Sequence, residues 1–543
     1  MAEQSRPRAV SVLGPLDASV LESATILPHE KLLFNQLSRQ LPPSTLELQQ
    51  LRDATPSLSN LAALRANPLA VSANLRSPSL DVVAEELQRL VAATAPGPCV
   101  IVDVVPTATD GRDPAGLVAL ARKTGVHIIM GVSRTLDAVA AAEVAAAAAA
   151  AAQGGAQGDD DGALTAEQLI AQQLVDELTA GVPVAGEGGV CAGMIGELLA
   201  HPQRSVAHAT LLRAAAIAQM RTGAPIWAAI PPPPTARTVM AAAAATAADE
   251  TVGNDGGDDS GVQMDTDAPL PAHPPPHRPA GSASSSQRRA SALASALAAQ
   301  EAAVQETLRL VVANGGAAAR LVLCHAQHLI GNPTAMRALL QQGCTMCFDH
   351  LGCGWQLAGA DGGTDPLLEP PSDGDVAAVV AALTAEGFGA QLVASSGVET
   401  SLQLLAFGGG GYAHVLERWL PRLRQQLGDA RDAAANGDGG GNGETGADGG
   451  SLDDAVRMLC GATAARLLCW RLPDAPAARI VRSWSCTSCH RTFEEPVNPA
   501  DALPTDQRYY EKLSFRYCAM QCLANHRKAK WAQPFGPTPP PSG

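Results

Sequence analysis

Short apolar runs recur along the chain at 24–28, 99–104, 127–131, 193–197, 225–230, 320–325, 345–349 and 391–395. They are rich in Val and Ile, and most have little polar alternation, the pattern of strands buried on both faces. Between them the apolar residues fall at helical spacing, most clearly at 80–93, 114–124, 163–180, 206–222, 296–313, 333–342, 376–386 and 412–427. Pro114 and Pro333 suit the first turn of a helix, and Ser295 suits an N-cap. Strands alternating with helices in this number predict an α/β fold, a closed (β/α)8 TIM barrel, with an open doubly wound sheet as the alternative.

The pattern fails at about 139–163, 231–295, 357–376 and 428–452, where Ala, Gly, Pro, Ser and acidic tracts take over. Such sequence buries too little apolar surface to order itself, so these stretches read as disordered low-complexity insertions in barrel loops. The alanine run at 145–152 extends a helix until Gly154-Gly155. The barrel is therefore expected over 10–475, a small module over 480–533, and a disordered tail over 534–543.

Composition narrows the function classes. Lys+Arg 38 against Asp+Glu 53 gives a net charge of −15. Without a basic stripe, that balance disfavours nucleic acid and anionic membranes as partners. No run of 18 apolar residues exists outside poly-Ala, and the first residues lack a basic-then-apolar leader, so neither a membrane span nor secretion is expected. The 12 cysteines, without a leader, do not suggest a disulfide scaffold. The expected location is cytoplasmic and reducing. Aromatic residues are 3% of the chain, so the cores must be built from Leu, Val, Ile and Ala.

The sharpest spacing lies near the C-terminus. Cys486-x2-Cys489 is followed by Cys518-x3-Cys522, with His526 four positions on. The first pair can form a knuckle. Residues four apart line one helix face, and a knuckle plus a helix start closes a tetrahedral structural zinc site. The ligands expected are Cys486, Cys489, Cys518 and Cys522, with His526 in place of Cys522 as the alternative. This segment resembles a treble-clef zinc finger with a MYND- or TRASH-like ending. The 490–517 interval holds no cysteine, so one Zn2+ is expected. Such a site contributes on the order of 10 kcal/mol to folding. The resemblance implies a protein partner rather than nucleic acid.

The larger segment carries its own motifs: Val12-Leu13-Gly14-Pro15, Leu27-Pro28-His29-Glu30-Lys31, Gly111-Arg112-Asp113-Pro114, Gly193-Met194-Ile195-Gly196-Glu197, Cys324-His325, Leu392-Val393-Ala394 and Gly411-Tyr412-Ala413-His414. In order and spacing they resemble the phosphotriesterase-related family of the amidohydrolase superfamily. That resemblance implies two divalent metals at the C-terminal mouth of the barrel, activating a hydroxide for hydrolysis. It also implies six ligand positions. His29, Glu197 and His325 keep the first-strand histidine, the bridging carboxylate and the sixth-strand histidine. Lys31, Ala229 and Ser396 stand where the second first-strand histidine, the fifth-strand histidine and the eighth-strand aspartate would be.

Each metal would then keep two ligands, where a catalytic zinc uses three and a water. The expected function is a non-catalytic binding or scaffold protein, its barrel mouth open to a small-molecule ligand and its zinc finger to a protein. The alternative is a zinc-dependent hydrolase acting on ester, lactone or amide bonds through an altered site. Lys31 stands where the resemblance places a metal-binding histidine, so it is expected to pair with Glu197 and supply the positive charge of the lost ions. Asp349 reads equally as structural or pocket-lining. Cys344 and Cys347 read as small apolar residues of a strand, and Gly408–Gly411 as a turn before a helix rather than a phosphate cradle.

Overall fold

The structure is a computed structural model. It describes residues 8–43, 45–153, 164–186, 188–198, 205–232, 285–352, 371–437 and 452–470. From the C-terminal segment it describes 481–486, 488–489, 492–496, 510–512, 515–517, 521–522 and 524–525.

Eight strands, β1 (Thr25–Glu30), β2 (Cys99–Asp103), β3 (His127–Val132), β4 (Met194–Leu198), β5 (Ile226–Ala229), β6 (Leu321–Cys324), β7 (Thr345–Phe348) and β8 (Leu392–Ala394), pair in sequence order as one parallel sheet. Each covers one of the eight apolar runs. Around them lie α1 (Leu80–Thr94), α2 (Pro114–Thr124), α3 (Leu136–Gln153), α4 (Ala166–Thr179), α5 (Val206–Thr222), α6 (Ser285–Ala313), α7 (Pro333–Gln341), α8 (Asp373–Leu383) and α9 (Leu420–Gly437).

The two faces of the sheet make two cores. Ile26, Val100, Val102, Ile129, Trp227, Val322, Cys324, Cys347 and Val393 point inward and fill the barrel. Leu27, Ile101, Ile128, Ile195, Ile226, Leu323, Phe348 and Leu392 point outward under the helices. The strands are apolar on both sides, as a sheet covered by helices requires. Trp227 is fully buried, and its indole N–H donates to the Pro28 carbonyl at 3.0 Å.

The barrel is drawn shut between β1 and β8. The Lys31 N–H donates to the Val398 carbonyl at 2.9 Å. The buried Glu30 carboxylate accepts from the Ser395 hydroxyl (2.7 Å) and from the N–H groups of Ser396 (2.8 Å), Gly397 (3.1 Å) and Val398 (2.8 Å). Burial pushes this carboxyl up to about 7, although the Val398 amide and the Ser395 hydroxyl pull the other way. Gly397 sits at φ +63, where an added Cβ would strike the His350 backbone.

Three boundary expectations are corrected. Ser295 is no N-cap, since α6 begins at Ser285. The 285–295 stretch is polar enough to read as low complexity, yet its Ala, Arg, Gln and Leu are good helix formers. Helix α3 starts at Leu136 and runs through the alanine tract to Gln153, so the insertion expected from 139 begins as helix, with 145–152 extending it as the alanine run suggested. Helix α9 continues to Gly437, past the expected boundary at 428. The central parts of the insertions and the 534–543 tail lie outside the described residues.

The C-terminal segment contains two antiparallel pairs, Val481–Ser485 with Thr492–Pro496 and Tyr510–Lys512 with Phe515–Tyr517. No helix among the described residues is long and apolar enough to cross a membrane.

Glu30→Ala would orphan three buried amide donors and a hydroxyl. A loss of at least about 3 kcal/mol is expected by denaturant unfolding. Glu30→Gln, which keeps one acceptor oxygen, should lose clearly less. Equal losses would show that acceptance at the seam is not what matters.

Candidate active site at the barrel mouth

The side chains that the sequence singles out arrive from different strand ends. His29 is the penultimate residue of β1, within a register shift between Leu27 and Glu30. Glu197 lies in β4 where the pairing shifts between Ile195 and Leu198. Such irregularities re-aim side chains at barrel rims. His325 follows β6 at φ +59. The three meet: His29 Nε2 lies 2.9 Å and His325 Nε2 lies 3.0 Å from the same Glu197 Oε1.

Lys31 joins this group from β1, its ammonium 3.4 Å from Glu197 Oε2 and 3.0 Å from Glu399 Oε2. The expected Lys31–Glu197 pair is therefore within salt-bridge reach. Arg39 closes on Glu399 at 3.0 Å. Burial works against the lysine's charge, but Glu197 and Glu399 outweigh it and raise its pKa above the ordinary value. Burial likewise opposes the Glu197 charge, and Lys31, His29 and His325 together hold that carboxyl well below its usual range.

Asp349, which follows β7, is fully buried behind the histidines. It accepts from His325 Nδ1 at 2.7 Å, from the His325 backbone N–H at 2.9 Å and from Gln327 Nε2 at 3.0 Å. His325 is pushed up to about 10. Burial opposes that charge, and Asp349 and then Glu197 overcome it. The charges of Lys31, Arg39 and the His325 imidazolium thus face those of Glu197, Asp349 and Glu399. This matches the requirement that buried charges be paired.

A cavity of about 340 Å³ opens on this group, with Ala229, His328, His350 and Ile230 in its wall. His328 is held down to about 3 by burial and by neighbouring His325. Its Nδ1 lies 3.0 Å from the Ile230 carbonyl, so Nδ1 carries the proton of the neutral ring.

Ala229 offers the cavity no donor atom. Ser396 lies behind the wall, its hydroxyl donating to the Tyr412 carbonyl at 2.9 Å and its N–H to Glu30. At the Gly408–Gly411 turn the Glu86 carboxylate packs against Gly411 and accepts from the Ala406 N–H at 2.9 Å, which makes it a poor cradle for phosphate. Sequence reading missed Arg39, His328, His350 and Glu399. None sits in a motif, and they meet only because loops after different strands share one rim.

The donor atoms of His29, Glu197 and His325 lie within 4.8 Å of one another. The residues present therefore fit one cation with three protein ligands, and Lys31 competes with it for the same carboxylate. In the C-terminal segment the Cys486, Cys489 and Cys522 sulfurs are also within 4.8 Å of one another. Cys518 and His526 lie outside the described residues.

Similarity to known proteins fits both parts. The Vms1-associating treble clef domain matches residues 481–534, and a treble clef implies zinc binding. The N-acetyltaurine hydrolase of Xenopus tropicalis is 22% identical over 419 residues, 76% of this chain and 90% of that protein. The phosphotriesterase-related protein of Nematostella vectensis is 24% identical over 407 residues, 73% of this chain and 87% of that protein. Among solved structures, a resiniferatoxin-binding protein from Rhodobacter sphaeroides superposes with a TM-score of 0.57 at 22% identity, covering 85% of this chain and 95% of that one. The Phosphotriesterase family matches residues 9–232 and 282–432, and with the parallel barrel and its rim of histidines and carboxylates already in view, the chain belongs to that family.

Proposed function

We propose that this chain has given up the two-metal hydrolysis of its family and serves as a binding or scaffold protein. In this reading the barrel mouth takes a small-molecule ligand, and the treble clef, held by one zinc, binds another protein. The observation that carries it is the Lys31 ammonium between Glu197 and Glu399, at 3.4 and 3.0 Å. A fixed cation there satisfies the carboxylate that relatives offer to metal. Ala229 and Ser396 add to the case: the first has no lone pair to give, and the second spends its hydroxyl on Tyr412.

A second reading is a zinc-dependent hydrolase of ester, lactone or amide bonds. What favours it is the convergence of His29, Glu197 and His325, with Asp349 behind both rings. An ion there would polarise the scissile bond and lower the pKa of water. Lys31 and Arg39 would orient an anionic group, and His328 would offer its unprotonated Nε2 to a hydrogen-bond donor. The amide hydrolase among the relatives makes amides the first substrates to try.

The two readings separate in one assay. The full chain, supplied with zinc or manganese, is tested on aryl esters, lactones and N-acyl amides beside Glu197→Gln. The scaffold reading expects both proteins at background. Turnover that Glu197→Gln abolishes would overturn it and establish the hydrolase.

Lys31→Met leaves Glu197 and Glu399 without their shared cation. Thermal or denaturant unfolding should show a loss of about 3–5 kcal/mol, whereas a change under about 1 kcal/mol would remove the basis of the reading. For the C-terminal module, Cys486→Ser should release about one zinc per chain and expose 481–525 to limited proteolysis while the barrel stays resistant. Unchanged zinc content would argue against this ligand set.

A further inference from the structure

Beneath the rim, a second group of donors faces the barrel axis. We propose that His29 Nδ1, the Cys324 sulfur and the Asp349 carboxylate form a binding site for a zinc-class cation, one layer below the mouth. This site is separate from the rim cluster of His29, Glu197 and His325, which involves the Nε2 side of His29.

The case starts from geometry. Nε2 of His29 is engaged by Glu197 Oε1 at 2.9 Å, so Nδ1 is the ring nitrogen turned toward the interior. That Nδ1 is buried with no hydrogen-bond partner. It lies 3.6 Å from Asp349 Oδ2, beyond hydrogen-bond reach. A buried polar atom without a partner is costly, and a cation between it and Asp349 would engage both groups. Two donors each about 2.1 Å from one tetrahedral ion stand about 3.4 Å apart, close to the separation seen.

Cys324 supplies the third donor. It is the last residue of β6, points inward and is fully buried. Its sulfur lies within 4.8 Å of the His29 and Asp349 ligand atoms. A nitrogen, a sulfur and an oxygen suit zinc better than magnesium or calcium, which want oxygen alone. Asp349 is fixed independently by His325 and Gln327, so its carboxylate is preset. On binding, the Cys324 thiol gives its proton to solvent and the thiolate takes the ion, with no redox change.

The test measures zinc per chain by elemental mass spectrometry, after chelation, zinc repletion and desalting of the full chain. Wild type should hold about two equivalents and Cys324→Ser about one. Cys486→Ser should also fall to about one, the double variant to nearly none, and Glu197→Gln should stay near two. Full retention in Cys324→Ser, or a wild type holding only the ion that Cys486→Ser loses, would overturn the site. Loss in Glu197→Gln with retention in Cys324→Ser would place the ion at the rim instead, defeating this inference and the scaffold reading together. Should Cys324→Ser fold poorly, cobalt in the Cys486→Ser chain gives an independent readout. A thiolate-to-cobalt absorption band supports the site, and its absence refutes it.

Discussion

The barrel depends on one carboxylate. Glu30, on the first strand, gathers the Ser395 hydroxyl and three consecutive amides that follow the eighth. A sheet of parallel strands closes only if its first and last members are held against each other, and β1 and β8 are joined here largely beyond the ends of regular pairing. Every residue at the mouth takes its position from that closure. His29 and Lys31 flank Glu30 in the chain, and Glu399 follows directly on the loop that Glu30 grips.

Charge balance then governs the mouth. Glu197, Asp349 and Glu399 are almost wholly desolvated, which is untenable without nearby cations. Lys31, Arg39 and the His325 imidazolium are within reach to meet that demand. Removing either member of such a pair leaves the other exposed to the full desolvation penalty.

Much of the architecture was legible because it rests on local rules. Apolar runs without alternation marked all eight strands, and Pro114 and Pro333 marked the starts of helices. The start of helix α6 was misplaced, at 296 instead of Ser285, because Arg288, Ala290 and their neighbours are polar or small, and propensity alone, without an apolar stripe, carries them into a helix. At the site, His29, Glu197 and His325 could be named from motifs, and Lys31 could be paired with Glu197 because it stands at a ligand position of the same motif. Arg39, His350 and Glu399 could not. Their meeting depends on how three loops turn over the rim, which no spacing along the chain encodes. The double duty of Asp349, backing His325 on one side and facing His29 on the other, likewise exists only in three dimensions.

The seam has an evolutionary corollary. Closure is made by a carboxylate clasping peptide groups, so the clasp itself uses no ion. A barrel fastened this way can change its rim side chains and keep an intact cylinder. The rim is thereby free to drift toward new uses, while Glu30 is the residue that cannot follow it.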